Sequence, residues 1–598
     1  MKNVYAIQLS NWPPSCVLPQ AIGTIWSYAY QHEDICQNYQ MKRVFWENQT
    51  PETIINEIIN PDVLMCSCYT WNWAETNQVI IEVKQKYPNC LVIIGGPEPK
   101  YNMQWMQENP AVDILIPYYG EQVFTDVLVA NLNNNFNDVN GIITKDKQST
   151  GNINFDFSNI PSPYLNGFFD WLLKNKIQST KQIRCVFESN RGCPFSCTFC
   201  DIGAMAYQKI KRFDIQRCKD ELEWMVKNNI VAIDVADANF GIFDVDEEFV
   251  DHLITLKKKY KWNGRFLPTF AKVKGDNILK IANKIIENEL DSIFGISLQS
   301  VNPNVLKAIK RKNPFTLDEM TNIILDMNSK GTAVYTELVF PLPNDTKKEF
   351  INGLEKLIDM PQPFNKFQIN QTNILTNSEL NDNEYIEKFG LTWKSIKGFT
   401  RHYYGNNIVD KVATSTSTIS EDEVWDCIFM SKCFYIPLYY YGIARTLCDD
   451  LHPTLKRSKV LEKIYNHLCN VPWFLEFYKK MRQHYFNSIN NREHFGHIIT
   501  TDKSQYWPEY AVAHRTYIDN DIFSEIKKVF PQHTDIINFD QNSIWTGNSI
   551  DRIVEKNNKK YHILDDRNYD YEDYLMNVYI IGRFNDTYKV KQVKEIND

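Results

Sequence analysis

Arg191-Gly192-Cys193-Pro194-Phe195-Ser196-Cys197-Thr198-Phe199-Cys200 decides more about this chain than any other stretch. It reads C-x₃-C-x₂-C, three thiolates on one loop and one short of the four that normally close an iron–sulfur cluster. Three thiolates can hold three corners of a cubane and leave the fourth iron free for a ligand. An open metal position is the mark of a catalytic rather than a structural site. A zinc site would add a fourth Cys or His at short spacing, and the sequence offers none nearby. A disulfide framework fits poorly, because 14 cysteines are spread thinly over 598 residues.

Outward from this loop the pattern is a series of β/α units beginning at about residue 181. Arg184–Ser189, Val231–Val235, Arg265–Ala271, Ser292–Leu298, Val334–Phe340 and Phe367–Ile374 read as strands, with helices such as Ile215–Asn228 and Asn277–Glu289 between them. In β/α barrels the chemistry sits at the carboxyl ends of the strands, and the cysteine loop directly follows the first. Asp237-Ala238-Asn239-Phe240-Gly241 follows the second, Gly295-Ile296-Ser297-Leu298-Gln299-Ser300 ends the fourth, Thr336–Pro343 covers the fifth and Ile374–Ser378 ends the sixth.

Upstream, residues 1 to about 130 alternate short apolar runs (Val4–Leu9, Val63–Cys68, Leu91–Ile94, Asp113–Ile116) with helical stretches such as Pro51–Asn60 and Trp73–Lys86. That alternation predicts a parallel, doubly wound sheet, whose ligand lies outside the carboxyl ends of the strands. The segments so placed are Ser10–Pro13, Tyr69–Asn72, Gly95–Glu98 and Tyr118–Glu121. Gly95-Gly96-Pro97 would let a backbone approach a large planar ligand closely, since two residues lack a Cβ. The Asn-rich stretch Asn131–Asn140 marks a boundary and reads as a loop.

The cysteine triplet, with Phe199 inside it, resembles the cluster loop of the radical S-adenosylmethionine (SAM) superfamily, and the six β/α units are similar to the partial barrel of that superfamily. The resemblance implies a [4Fe–4S] cluster on Cys193, Cys197 and Cys200, chelation of SAM by the open iron, and its reductive cleavage to a 5′-deoxyadenosyl radical. It also implies cofactor contacts at Phe199, at Asp237 and Asn239 for the amino group of SAM, at Ser297 and Gln299 for the ribose, and at Glu337 near adenine. Pro341 stands where the family's fifth-strand motif has Gly.

Leu18-Pro19, Ser67–Asn72, Ile94–Pro97 and Gly120-Glu121, with Ile160–Leu165 behind them, resemble the cobalamin-binding domain that precedes many radical SAM domains. Contacts to cobalamin are then expected from Ser10, Tyr69, Trp71, Asn72, Gly95, Gly96, Pro97, Glu98, Tyr119, Gly120 and Glu121. The Asp-x-His-x-x-Gly motif that ligates cobalt elsewhere is absent and His32 is the only histidine before residue 252, so no histidine ligand is expected from this domain. Many radical SAM relatives lack that motif as well.

The fold class expected is therefore α/β. A doubly wound cobalamin-binding-like domain spans residues 1–140, a linker 141–180, a partial (β/α)6 radical SAM barrel 181–395, and a mainly helical domain 396–598. In the last, Ser420-Glu421-Asp422-Glu423 opens a helix toward Leu447. Cys427, Cys433, Cys448 and Cys469 lack close ligand spacing and read as packing residues. Tyr439, Tyr440, Tyr441 and Trp507 either line a substrate cavity or, more commonly for such residues, pack the core.

The function implied is methylation of an unactivated carbon through cobalamin. The alternatives are rearrangement or oxidation without methyl transfer, and a non-catalytic scaffold that keeps the fold. A methylthiotransferase would carry a second cysteine triplet in the first domain, and none is there. The expected partners are a small-molecule or peptide substrate and an electron donor such as flavodoxin or ferredoxin. Hydrophobic residues make up 43% and charged residues 23%, ordinary for a soluble globular protein. A net charge of −8 gives no reason to expect nucleic acid. The one tight basic run, Lys257 to Lys261, reads as a solvated helix end. No apolar run spans a membrane, and Met1–Ile7 reads as a first strand rather than a signal peptide, so a cytoplasmic location is expected.

Overall fold

Runs of branched apolar residues near the amino terminus form the first parallel sheet in the computed structural model, which describes residues 1–10, 16–47, 49–149, 156–175, 182–204, 209–271, 276–291, 293–397, 409–491, 498–499, 506–507, 509–544, 550–565 and 592–596. Its strands are β1 (Lys2–Ile7), β2 (Tyr39–Phe45), β3 (Val63–Ser67), β4 (Leu91–Gly95) and β5 (Ile114–Leu115). Their order is β2-β1-β3-β4-β5, all parallel. Successive side chains alternate between faces. Val4, Ala6, Val63, Met65 and Ile93 join the core beneath helices Gln20–Ala29 and Glu121–Leu132, whereas Tyr5, Ile7, Leu64, Cys66, Val92 and Ile94 join the core beneath Pro51–Glu57 and Trp73–Lys86. The expected doubly wound domain is thus present, with its topological switch between β1 and β3. The strand β2 was not anticipated: it lies at the sheet edge, and its half-exposed middle breaks the apolar run.

All six strands expected downstream form, in two sheets. Ile183–Phe187 (β6), Ala232–Val235 (β7) and Arg265–Leu267 (β8) are parallel in the order β8-β7-β6, and the short segment Cys16–Val17 adds a parallel edge to β6. Arg184 and Asp234 pair across β6 and β7. Ile293–Gln299 (β9), Ala333–Phe340 (β10) and Lys366–Gln371 (β11) make a second parallel set, β9-β10-β11. The helices between are capped as their sequences dictate. Asp214 accepts from the Arg217 amide at 2.9 Å, and Thr316 with Glu319 forms a full capping box. Lys257, Lys258 and Lys259 fall in the last turn of Val245–Tyr260, where Lys257 Nζ donates to two carbonyls, Asn288 at 2.9 Å and Glu289 at 2.7 Å.

The chain divides into two compact units, Met1–Asp291 with Ile374–Tyr385 and Thr400–Asp410, and Ser292–Asn373 with Ile386–Phe399 and Lys411–Asp598. Within the first, one hydrophobic cluster runs without a break from Val4 and Ile22 through Phe157, Tyr164 and Phe169 to Phe187 and Phe249. Within the second, Ser420 and Glu423 make the expected capping box. The helix then widens into a π-helix over Phe429–Tyr440, with Pro437 inside it. Tyr439 and Tyr440 are buried in this element, and Tyr440 lines a cavity of only about 10 Å³, room for one water at most. The core-packing reading holds for both residues. Cys427, Cys433 and Cys448 are buried as packing residues and Cys469 is half-buried. The region is mainly helical, as expected, with strands added: Thr392–Lys397 with Val409–Ser415 and Ile498–Ile499 with Tyr506–Trp507 form two-stranded sheets. Ile550–Lys556, Lys559–Asp565 and Gln592–Ile596 form an antiparallel sheet.

Candidate active site

The loop that carries the cysteines leaves β6 and is pinned at its base. Asn190 and Arg191 on the way out pair with Arg212 and Lys211 on the way back, in a two-residue antiparallel ladder. Gly192 takes φ +124°, a conformation that strains any residue with a Cβ, so the turn into Cys193 requires glycine. Further along, the Cys200 amide donates to the Cys197 carbonyl at 3.1 Å. The buried Thr198 carbonyl accepts from the Leu380 amide at 3.0 Å, and its hydroxyl lies 3.2 Å from that of Tyr385. The three cysteines are half-buried and form no disulfide. By contrast, burial pushes the thiols of Cys66, Cys68, Cys185, Cys218, Cys427 and Cys448 well up and keeps them protonated. Three accessible thiols on one braced loop suit a cubane, in which each sulfur serves a different iron. No group of three or more His, Cys, Asp or Glu side chains among the described residues is placed to hold a single metal ion.

Asp237 and Asn239 follow β7 and face this loop. The Asp237 carboxylate accepts from the amides of Ser189 (2.9 Å) and Asn190 (3.0 Å), from Asn190 Nδ2 (2.8 Å) and from the Ser189 hydroxyl. Burial pushes this carboxyl up to about 7 against those hydrogen bonds. Asn239 Nδ2 donates to Cys193 Sγ at 3.2 Å. Phe199 is half-buried in the loop.

At the carboxyl edge of the first sheet the expected residues fall into two groups. Some shape their own loops: Ser10 accepts from the Val17 amide at 3.1 Å, and Asn72 accepts from the Tyr69 amide at 2.8 Å while donating to the Ser67 carbonyl at 3.0 Å. Others present surface. Tyr69 and Trp71 stack with centroids 4.4 Å apart, Trp71 is 37% exposed, and Thr70 reaches Glu98 at 2.9 Å beside Pro97. Gly96 has a structural requirement of its own. Its φ is +103° and a Cβ there would lie 2.3 Å from the Cys68 carbonyl oxygen, so it permits a close approach to the β3 loop. Gly95 similarly faces the Ile116 carbonyl, 3.3 Å from where a Cβ would sit. His32 is a half-exposed surface residue 3.9 Å from Asp34, as anticipated.

Tyr119, Gly120 and Glu121 lie where the second group was expected, yet Glu121 is 2% exposed and its Oε1 accepts from Arg191 Nη1 at 2.8 Å. Arg191 also makes a two-pronged bond to Glu188, at 2.7 and 2.9 Å, and sits over the rings of Phe157, Tyr119 and Phe213 at 5.0–5.8 Å. Burial works against its charge, but Glu121 and Glu188 hold the guanidinium firmly protonated. Neither this pair nor the bonds from Asn377 Nδ2 to the Pro97 (2.9 Å) and Pro99 (3.0 Å) carbonyls was foreseen. Arg191 offered one signal, a lone cation beside the cysteine motif. Asn377 offered none beyond its place at a strand end.

In the second unit Ser297, Gln299 and Glu337 come together across the carboxyl-terminal halves of β9 and β10. Ser297 Oγ donates to Glu337 Oε1 at 2.7 Å and Gln299 Nε2 reaches the same oxygen at 3.3 Å. Gln299 takes the left-handed φ of +65°, while Arg311 donates to the Ser297 carbonyl. Hydroxyl, amide and carboxylate at adjacent parallel strand ends are the groups that bond a polyhydroxylated ligand.

These two arrangements define the class of the protein. Residues 43–128 match the B12 binding domain and residues 187–357 match the radical SAM superfamily. The chain therefore joins a B12-binding domain to a radical SAM domain, and the cofactor set of these domains is a [4Fe–4S] cluster, SAM and cobalamin. More particularly, it is homologous to cobalamin-dependent radical SAM methyltransferases. It is 30% identical over 399 residues to the cobalamin-dependent radical SAM methyltransferase TokK of Streptomyces tokunonensis, covering 65% of this chain and 58% of TokK. It is 29% identical over 403 residues to the 2-(S-pantetheinyl)-carbapenam-3-carboxylate methyltransferase of Streptantibioticus cattleyicolor, with the same coverage of 65% and 58%. The matches thus span less than two thirds of either relative. The cobalamin-dependent radical enzyme OxsB shares the fold with a TM-score of 0.52 at 14% identity, over 89% of this chain and 81% of that one. No helix among the described residues is long and apolar enough to cross a membrane.

Proposed function

We propose that this chain is a cobalamin-dependent radical SAM methyltransferase that adds a methyl group to an unactivated carbon of a small molecule. The observation that carries the reading is the braced loop of three half-buried cysteines, none in a disulfide, after the first strand of a radical SAM domain that follows a B12-binding domain. When bound, the cluster supplies the electron that cleaves SAM and the cobalamin carries the methyl group. Cys193, Cys197 and Cys200 would hold the cluster, which with three protein thiolates keeps an open position for SAM. Asp237 and Asn239 would shape the amino-group side of that site and Phe199 would border it; within the second unit, Ser297, Gln299 and Glu337 carry the groups suited to bond a nucleoside. The Tyr69–Trp71 stack offers the corrinoid a flat apolar face, with Gly95, Gly96, Pro97 and Glu98 beside it. Ser10, Asn72, Tyr119, Gly120 and Glu121 set the shape of those loops. The electron donor is a flavodoxin or ferredoxin and the location is the cytoplasm, where both are found reduced.

Metal analysis of protein purified without oxygen from cobalamin-fed cells is the first test. About four irons and one cobalt per chain are expected. Four irons without cobalt would move rearrangement or oxidation ahead of methyl transfer. With substrate candidates, beginning with carbapenam carboxylates of the kind one relative acts on, methyl transfer yields both S-adenosylhomocysteine and 5′-deoxyadenosine. Rearrangement or oxidation yields only the second. Cys197→Ala should lose SAM cleavage altogether, and cleavage by that variant under the same reductant would overturn the cluster assignment.

A further inference from the structure

Asn239 is 2% exposed, and its side chain spends one end on a sulfur. Nδ2 lies 3.2 Å from Cys193 Sγ, whereas Oδ1 is buried and meets no donor among the described residues. A thiolate can only accept, so chemistry alone fixes which end of the amide faces it. The amide is also held in place from both sides. Two residues earlier, Asp237 binds the Ser189 and Asn190 amides on the approach to Cys193. One residue later, the Phe240 amide donates to the Thr269 carbonyl at 2.9 Å and the Phe240 carbonyl accepts from the Ala271 amide at 2.8 Å. The chain's own hydrogen bonds therefore place the donor at the sulfur.

We propose that Asn239 is a positioning residue that sets the reduction potential of the cluster through Cys193. This rests on the reading of the cysteine triplet as cluster ligands. A hydrogen bond to a cluster sulfur withdraws charge from it and favours the more negative, reduced state, which raises the potential. The step concerned is the uptake of one electron from a low-potential donor; no bond of the amide forms or breaks. Because the donor is neutral and buried, its effect is not screened by solvent.

The test is a potentiometric titration, followed by electron paramagnetic resonance, of anaerobically purified protein without SAM. Asn239→Leu keeps the branching at Cγ and removes the donor. It should retain about four irons per chain while its reduction equilibrium constant falls about tenfold, equivalent to about 59 mV for one electron. Asn277→Leu is the control, because Asn277 Nδ2 bonds the carbonyls of Gly241 (3.1 Å) and Phe243 (3.2 Å) just beyond Asn239 but touches no sulfur. A merely structural loosening would shift both variants; the proposal expects a shift in Asn239→Leu alone. A fully loaded Asn239→Leu protein within about 1.5-fold of the wild type would overturn it. So would loss of iron from both Asn239→Leu and Asn239→Ala, which would make the residue a loop brace. If the wild type itself binds no four-iron cluster, the parent reading has failed, and that result is distinct from the other two.

Discussion

Asp345 shows how far one side chain can depart from what its sequence position suggests. It is 2% exposed and accepts a single hydrogen bond, 2.9 Å from the Leu342 amide, so burial pushes its carboxyl up to about 8. The folded chain then keeps a proton that the unfolded chain releases near pH 4. Stability from this group is complete below about pH 4 and is lost as the pH rises toward 8, by at most about 1.4 kcal/mol per pH unit. Asp345→Asn, uncharged throughout, should flatten that part of the profile in urea unfolding followed from pH 4 to pH 8. Gly96 makes the complementary point. Gly96→Ala places a Cβ 2.3 Å from a backbone oxygen at φ +103°, and should cost roughly 1–3 kcal/mol for the backbone strain alone. A denaturation midpoint equal to that of the wild type would show that the β3 loop can yield. The glycine pair was legible as a site of close approach, but its neighbour was not, because nothing in Gly-Gly-Pro says which backbone will come near.

At the scale of elements, the ladder at the base of the cysteine loop places Arg191 between two carboxylates, one on β6's exit and one on the first turn of Glu121–Leu132. Arg191→Met would leave the buried Glu121 and the half-buried Glu188 without their cation, and should lower stability by roughly 3–5 kcal/mol. Equilibrium unfolding checks this, and Arg191→Lys should recover only part of the loss because a single ammonium cannot replace the guanidinium fork. The strands of the parallel sheets were readable from continuous apolar runs, since helices cover both of their faces. The late antiparallel sheet was not, although a signal was there. Asn557 and Asn558 both take positive φ, 53° and 60°, between Ile553-Val554 and Tyr561–Ile563, and such an Asn-Asn pair favours a tight hairpin turn. Lysine and glutamate on its exposed faces hid the alternation.

On the scale of the whole molecule, the hydrophobic cluster that passes from the first sheet through the linker to β6 and its helices means that the first unit cannot be cut cleanly between its two sheets. Cys16–Val17, from the first domain's own sequence, pairs with β6. A chain beginning at residue 176 should therefore expose the edge of β6 and the faces of Phe187 and Leu222, and aggregate, whereas the full chain stays monodisperse by size-exclusion chromatography. By itself the sequence determined the cysteine triplet, the order of the β/α units, the doubly wound first domain and the absence of an Asp-x-His-x-x-Gly motif, because each of these is written in local spacing and periodicity. Only the tertiary structure decided that Asn239 donates to Cys193, that Arg191 belongs to Glu121, and that Gly96 answers to Cys68. The physical reason is distance along the chain: hydrogen bonds and close approaches between residues 28 to 70 positions apart leave no periodicity to read, and they exist only once the core has brought their strand ends together.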